Sequence, residues 1–573
     1  MSKRSILIFL MASIILLSTL SMVTAADKSD NVTDEVDVNH EIEVKSSINA
    51  QKTADDNTLS GDLSEVCQSN TPIQKDKKNI KNSKRIIINN QTYNTYFTDK
   101  NLNDRVSNGD VLDFQGNFIG NYSMNINKAV NITSSTKDAY ISLNTTANDW
   151  FGGDDVAAFT ITKDGAYTNV SDIYFFNSQI FVKNSHHIIF NNITAIVDTS
   201  TVGRGVGQTS IRDNSSFVTV ENSTFSTKDQ WGGCVLVLAW ANNCTIRYNK
   251  IMGYGEVGNL FYLTTFNVEA SMPCDEMGNL DYNLINVNNT FENNLLIGPG
   301  YAQGMCYVIC LSGTNNRIIN NTVLNYNGSG INVQAFSFDY DMKTLIANNT
   351  LIGSNFFMPN GTTVINNTVT GNVSLGARCI IENNTFSNIK IVYPDTILAN
   401  TTVDNVLLTT ERNNITIENC NIRGNLTIRG SSVAEVSSNV TIRNNTIGQN
   451  IFLNGSKNIT IYNNTIAEQI RISGRNSINN NVSIYNNTIV NNDEYTITVD
   501  KKVRGLNISD NYLIAESSIG NDSIYLNIVY DDYIIRNDMT HFLLNQSNYD
   551  RFFDENKCIR SEFMENNITF EIA

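Results

Sequence analysis

Two adjacent aspartates set behind glycines, Gly152-Gly153-Asp154-Asp155, are the residues of this chain best suited to acid–base chemistry. Cleaving a glycosidic bond takes two carboxyl groups facing one linkage, one as acid and one as base or nucleophile. The bland account of the same four residues is an ordinary Gly-rich turn. None of the four histidines, His40, His186, His187 and His541, is an obvious partner for them. Rings that could lie against sugar stand on Gly-flanked stretches, Trp150-Phe151 and Trp231-Gly232-Gly233, and an irregular segment over 252–281 adds Tyr254 and Glu256. Loops on a rigid scaffold are the usual carriers of recognition. Asp154 and Asp155 are therefore the catalytic candidates, and Trp150, Trp231, Tyr254 and Glu256 the candidate ligand contacts. The cysteines lack zinc-ligand spacing, so no metal and no cofactor is expected.

The scaffold beneath these loops is written in a recurring phrase, apolar-x-Asn-Asn-Thr-apolar. It stands at Ile442–Ile447, Ile461–Ile466 and Ile484–Ile489, with looser copies back through Asn384, Asn367, Asn349, Asn321, Asn294 and Asn249 to Asn192, and forward to Asn511. A repeat of roughly 17 to 28 residues marks a stacked-repeat protein. Before each Asn pair, β-branched and polar residues alternate, as in Val440-Thr441-Ile442-Arg443, which is the period of a half-buried strand. Asn tolerates the left-handed backbone of a sharp corner, and Thr-Ile restarts a strand beyond it. Strand, corner and strand every 20-odd residues make one rung of a parallel β-helix, in which stacked Asn amides can form ladders. A helical solenoid is excluded, because the repeats lack a 3.6-residue period and are rich in poor helix formers.

The sequence divides accordingly. Met1–Ala26 has the parts of a secretory signal: Lys3 and Arg4, an apolar run from Ile6 to Leu20, and the small residues before Ala26. Residues 27–83 read as a disordered linker: Asp27 to Glu65 holds eleven acidic and three basic residues, half of the chain's net −16, before the sign flips at Lys75, Lys77 and Lys78. Residues 84–128 are expected to cap the stack, 129–517 to form the β-helix, and 518–573 to form a second cap or the start of a truncated second module. That last alternative rests on Tyr549–Asn556, which echoes Tyr93–Lys100. The acidic balance argues against nucleic acid as a partner, and membrane contact is expected only if the amino-terminal segment stays uncleaved. Nine cysteines leave at least one unpaired, and those in the rungs read as buried single thiols. Roughly thirty N-x-Ser/Thr sequons arise as by-products of the corner phrase. Asn31, Asn327, Asn360 and Asn454 are the better-exposed acceptors on this reading, the ladder Asn side chains being committed elsewhere.

Several stretches go beyond the generic rung. Ser107–Gly116, Ile126–Ile132, Ser210–Ser216 and Leu236–Ala241 resemble the adhesin-like surface proteins of methanogenic archaea, over residues 84 to about 515. That resemblance implies a secreted, right-handed parallel β-helix of the pectin-lyase-like kind, acting at the cell surface in adhesion. The immunoglobulin-like repeats, pseudomurein-binding repeats and terminal membrane span that often complete such proteins are not seen here. Gly152–Asp155 also resembles the paired-Asp motif of polygalacturonases, but their downstream Gly-His-Gly and Arg-Ile-Lys motifs are missing.

The expectation is an all-β, single-stranded right-handed parallel β-helix with an N-terminal cap, monomeric, and secreted or at the cell surface. Its partner would be a polysaccharide or another cell's envelope glycan. The alternatives are a polysaccharide lyase or glycoside hydrolase on the same fold, and a structural envelope component. Glu382, Glu418, Arg443, Tyr462 and Tyr485 share one rung position, which reads as a solvent-facing slot.

Overall fold

The structure is a computed structural model. It describes residues 83–120, 122–143, 158–198, 209–228, 234–254, 259–264, 273–278, 281, 283–298, 307–324, 328–333, 342–357, 360–409, 414–430, 437–473, 479–491, 495–500, 503–515, 524–526, 529–530, 533–535, 537–544, 557–563 and 568–570. The expected signal segment, the linker up to residue 82, Asn31, Asn327 and the Tyr549–Asn556 echo lie outside these residues.

Each rung carries two left-handed corners five residues apart, and this spacing explains the repeat. Among the described residues, fifteen such pairs, with φ between 48° and 71°, run from Tyr167/Asp172 to Gly505/Asp510, including Asn288/Asn293, Asn439/Asn444 and Asn458/Asn463. Between the two corners sit one buried residue and a short strand, as in Thr290–Glu292 or Arg317–Ile319. These short strands stack in parallel into a 20-stranded sheet, and the two further strands of each rung join a 36-stranded one. The result is a right-handed parallel β-helix. Among the described strands the pairing is parallel with two exceptions, one near each end: Phe97–Thr98 with Asn101–Leu102, and Lys557–Phe563 with Ile568–Phe570. The stack begins early, with Arg85–Ile88 already in parallel register on Val111–Phe114. It continues past 517, where Asp538–Leu544 pairs in parallel with Tyr512–Ala515 and Lys557–Phe563.

The phrase Asn-Asn-Thr divides its labour between its two asparagines. The first takes the left-handed corner, as Asn444, Asn463 and Asn486 do with φ of 56°, 56° and 53°. The second is buried and builds the ladder. Asn464 Oδ1 accepts from the backbone N–H and the Nδ2 of Asn445, while its own Nδ2 donates to the Ile442 carbonyl and to Asn487 Oδ1, all at 2.9–3.0 Å. The same pattern links Asn249, Asn294, Asn321, Asn349, Asn367 and Asn384, and then Asn445, Asn464, Asn487, Asn511 and Asn537. Thr401 and Cys420 bridge the two runs in one column, the Thr401 hydroxyl accepting from the Asn384 N–H and the Cys420 N–H donating to Asn445. Asn192 is not a ladder member. It occupies the corner at φ 54°, and Ile193 fills the buried position.

Inside, apolar residues stack rung on rung: Ile417, Ile442, Ile461, Ile484 and Ile508 form one fully buried column. Burying each such side chain contributes about 1.5–3 kcal/mol. The ladder alongside lets the polar corner enter this core with its donors and acceptors met. Cys234, Cys244, Cys310, Cys379 and Cys420 are buried, and Cys274 is exposed. Burial pushes the Cys244 thiol up to about 12, so it is inert at ordinary pH. Asn360, expected on an exposed loop, is buried instead, its Oδ1 accepting from the Ala377 N–H at 2.7 Å.

Candidate binding face

The segments bearing the sequence candidates connect the same two strand columns. Residues 144–157, 199–208, 229–233 and 255–258 each join a strand of the column Tyr140–Leu143, Thr194–Val197, Thr224–Lys228 and Lys250–Tyr254 to one of the column Ala158–Ile161, Thr209–Ser216, Cys234–Asn242 and Asn259–Thr264. Both columns are in register, the first through Tyr140↔Tyr174↔Thr194↔Thr224↔Lys250 and the second through Phe159↔Ile180↔Thr209↔Leu236↔Phe261. Trp150, Asp154, Asp155, Trp231 and Glu256 lie outside the described residues, so their side chains are not placed. Tyr254 closes a strand, its backbone in register with Lys228.

In the second of these columns the strands are buried on both faces, unlike their counterparts further along. Gln179–Lys183, Thr209–Ser216 and Cys234–Asn242 have almost no exposed residue, whereas Ile451–Asn454 alternates buried with half-buried. The outward layer includes Phe181, Ser210, Val237 and Arg212. Arg212 is almost fully buried and pairs with Asp213 at 3.2 Å, one rung from Lys183. A buried ion pair gives up much hydration for its attraction, so it is weak evidence for stability. Trp240 is buried as its apolar strand implies, but at a left-handed corner of φ 54°.

The short-strand sheet offers an open face. One outward column runs through Glu221, Arg247, Glu292, Ile319, Ala347, Ile365, Glu382, Ala399, Glu418, Arg443, Tyr462 and Tyr485 in unbroken register. It is organised, not filled at random. Arg247 forks onto Glu221, with its Nε and Nη2 at 2.8 and 2.7 Å from one carboxylate oxygen. Arg443 donates through Nε to Glu418 at 2.6 Å and through Nη1 to the Tyr462 hydroxyl at 3.2 Å. The Tyr462 hydroxyl and the Glu418 carboxylate hold Arg443 charged, above its already high value. Tyr462 and Tyr485 stack with ring centres 5.0 Å apart, and burial followed by Tyr462 raises the Tyr485 hydroxyl above its ordinary value. Between the two Arg forks, Ile380 and Ile397 stand exposed in the neighbouring column. Eight pairings separate Arg247 from Arg443, roughly 38 Å at the strand spacing.

At the edge of this face the early rungs place aromatic residues at the first corner. Tyr167, His187 and Phe217 hold φ of 69°, 55° and 53°, where most later rungs use Asn, Asp or Gly. Their rings stack at 4.8 and 4.9 Å, and His186 adds a Nδ1···Nδ1 contact of 2.9 Å to His187. Burial first, and His186 second, lower the His187 pKa below its usual value. The unfolded chain therefore takes up this proton before the folded one does, and stability falls as pH drops through about 6.5. Melting temperature between about pH 7.5 and 5.5 should decline less in His187→Asn than in the parent, because Asn suits the corner and carries no titrating ring. Equal declines would remove His187 from the account. Sequence reading misses this column because its residue types vary from rung to rung; only the five-residue offset from the second corner reveals it.

Among the described residues, no group of three His, Cys, Asp or Glu side chains is arranged to hold a metal ion, and no helix is long and apolar enough to cross a membrane. No family model matches the chain, and no curated protein matches it. Among solved structures it is similar to an alginate lyase of the PL6 family, AlyGC, at 10% identity and a TM-score of 0.25, over 84% of this chain and 99% of that one. It is also similar to the A-module of the mannuronan C-5 epimerase AlgE6 of Azotobacter vinelandii, at 11% identity and a TM-score of 0.17, over 78% and 91% of the two chains.

Proposed function

We propose that this protein binds an extended polysaccharide along its short-strand face, as a secreted or cell-surface protein of the adhesin-like kind. The observation that carries the reading is the outward column from Glu221 to Tyr485, in which planar, hydrogen-bonding groups are fixed by one another before any ligand arrives. A sugar chain laid along the rod would meet a new side chain at each strand spacing of ~4.8 Å, close to the length of one pyranose unit. Guanidinium forks suit the vicinal hydroxyls or carboxylates of a glycan, and exposed Ile380 and Ile397 suit its apolar ring faces. Preorganised groups lose little freedom on binding, which favours affinity.

A second reading has its own observation. The buried Arg212–Asp213 pair, with Lys183 one rung away, lies in the strand column that residues 144–157 lead into along the sequence. A buried cation is part of the equipment of an enzyme that cleaves an acidic polysaccharide, as lyase or hydrolase, and on this reading Asp154 and Asp155 would supply its carboxylates.

Incubating the full chain with plant and microbial polysaccharides, followed by size-exclusion chromatography, separates the two. Co-elution at unchanged polymer length is the expected result, and Arg443→Ala should weaken it about tenfold while leaving melting temperature nearly unchanged, because exposed ion pairs contribute little to stability. Shortened polymer would replace the binding reading with the enzymatic one. No co-elution with any polymer would leave neither.

A further inference from the structure

The corner stereochemistry reverses the expectation that Asn-Asn-Thr sequons are closed to modification. In N-x-Ser/Thr the acceptor is the first residue, and in this fold that is the corner Asn, not the ladder Asn behind it. Among the described residues, sixteen sequons have their acceptor at one of the paired corners, 243, 288, 414, 439, 458 and 481 at the first and 192, 222, 320, 348, 366, 383, 400, 444, 463 and 486 at the second, and Asn214 is a further left-handed acceptor outside these pairs. The corner turns the acceptor outward while the residue after it enters the core.

The two corners differ in what their amides do. At the first, Asn288, Asn414, Asn458 and Asn481 donate Nδ2 to Asn243, Asp395, Asn439 and Asn458 on the preceding rung, at 3.0–3.2 Å. At the second, Asn192, Asn222 and Asn400 donate likewise to Asp172, Asn191 and Glu382. The other seven at the second corner, Asn320, Asn348, Asn366, Asn383, Asn444, Asn463 and Asn486, are exposed, and their side-chain amides have no hydrogen bond among the described residues.

We infer that these seven corner asparagines are N-glycosylation acceptors, and that the second corner carries a ridge of glycan along the rod. The donor is of the class of lipid-phosphate-linked oligosaccharides. Nδ2 of the acceptor attacks the anomeric carbon, one C–N bond forms, and the C–O bond to the phosphate breaks. Nδ2 gives up one proton, and the lipid phosphate leaves with the electron pair. A free Nδ2 is what this step consumes, and Asn288, Asn414, Asn458 and Asn481 at the first corner have theirs engaged, whereas Asn243 and Asn439 only accept through Oδ1. Acceptors on consecutive rungs are only ~4.8 Å apart, narrower than a sugar ring with its hydroxyls, so neighbours compete and occupancy along the ridge is partial. Asn444, Asn463 and Asn486 directly follow Arg443, Tyr462 and Tyr485, so their glycans would wall one edge of the open face.

The inference does not depend on any ligand and is tested on the full-length protein isolated from the cells that produce it, by mass spectrometry of its proteolytic peptides. Sugar masses are expected on peptides containing the seven, with those of Asn414, Asn458 and Asn481 bare. Thr465→Ala, which keeps Asn463 and its corner, should abolish the addition at Asn463, and Thr465→Ser should retain it. Bare asparagine at all seven overturns the inference, as does occupancy at Asn458 and Asn481 equal to that at Asn463 and Asn486.

Discussion

Asn464→Ala should lose about 3–5 kcal/mol of stability, against about 1 kcal/mol for Asn463→Ala next to it and almost nothing for Asn463→Gly. The buried side chain of Asn464 satisfies the N–H and Nδ2 of Asn445 and the carbonyls of Ile442 and Tyr462. Alanine leaves all of them unmet inside the buried core, and each buried unmet group costs about 1–3 kcal/mol. The corner residue loses only its tolerance of positive φ, which Gly supplies without a side chain. Stacked rungs depend on their neighbours, so the damage should appear as faster hydrogen exchange spreading outward from 440–490, with a lower denaturant midpoint. Similar losses for both alanine variants would mean the ladder contributes no more than the corner.

Asn487→Asp turns the ladder into a pH sensor of known sign. The oxygen replacing Nδ2 would face three acceptors, Asn511 Oδ1 and the carbonyls of Ile461 and Tyr485, all at 3.0 Å. Only a protonated carboxyl can donate to any of them, so the folded-state pKa must rise above the ordinary value of about 3.9. A carboxyl raised in this way binds its proton more tightly when folded. Stability is therefore highest below the unfolded value, falls as pH rises through it, and levels off above the folded value. The loss at neutral pH should be about 3–5 kcal/mol, the scale of an unpaired buried charge. Denaturant midpoints between about pH 3 and 7 would show it; a variant no less stable at pH 7 than at pH 3 would mean the site admits water or relaxes.

Both expectations come from a pattern legible along the chain. The alternation before each Asn pair and its return every 20-odd residues identify a stacked parallel β-helix, because a rung is closed by local residues and stacks on a copy of itself. The ladder is legible for the same reason, since identical residues at identical rung positions must lie above one another. Division of labour within the pair is not. Which Asn turns outward depends on the sign of φ at the corner, and two adjacent Asn residues look alike in a sequence. Hence the sequence points to Asn192 as a ladder member and to closed sequon acceptors, although Asn192 itself, and the first Asn of each Asn-Asn-Thr phrase, takes the outward corner.

The open face shows the other limit. Sequence places Glu418, Arg443, Tyr462 and Tyr485 at one rung position, and the strand register aligns them there. It does not show that Arg443 pairs backward with Glu418 and forward with Tyr462, because that choice is made by side-chain reach across neighbouring strands. Burial of Arg212 and of the outward layer around Val237 is equally hidden. A strand's inward face is fixed by its own alternation, but its outward face is buried or free according to what the rest of the chain lays over it. The sequence by itself therefore determined the rung, the stack and the ladder, which are local and repeated. Tertiary structure alone decided the corner that faces out, the charges that meet and the face left open to a ligand.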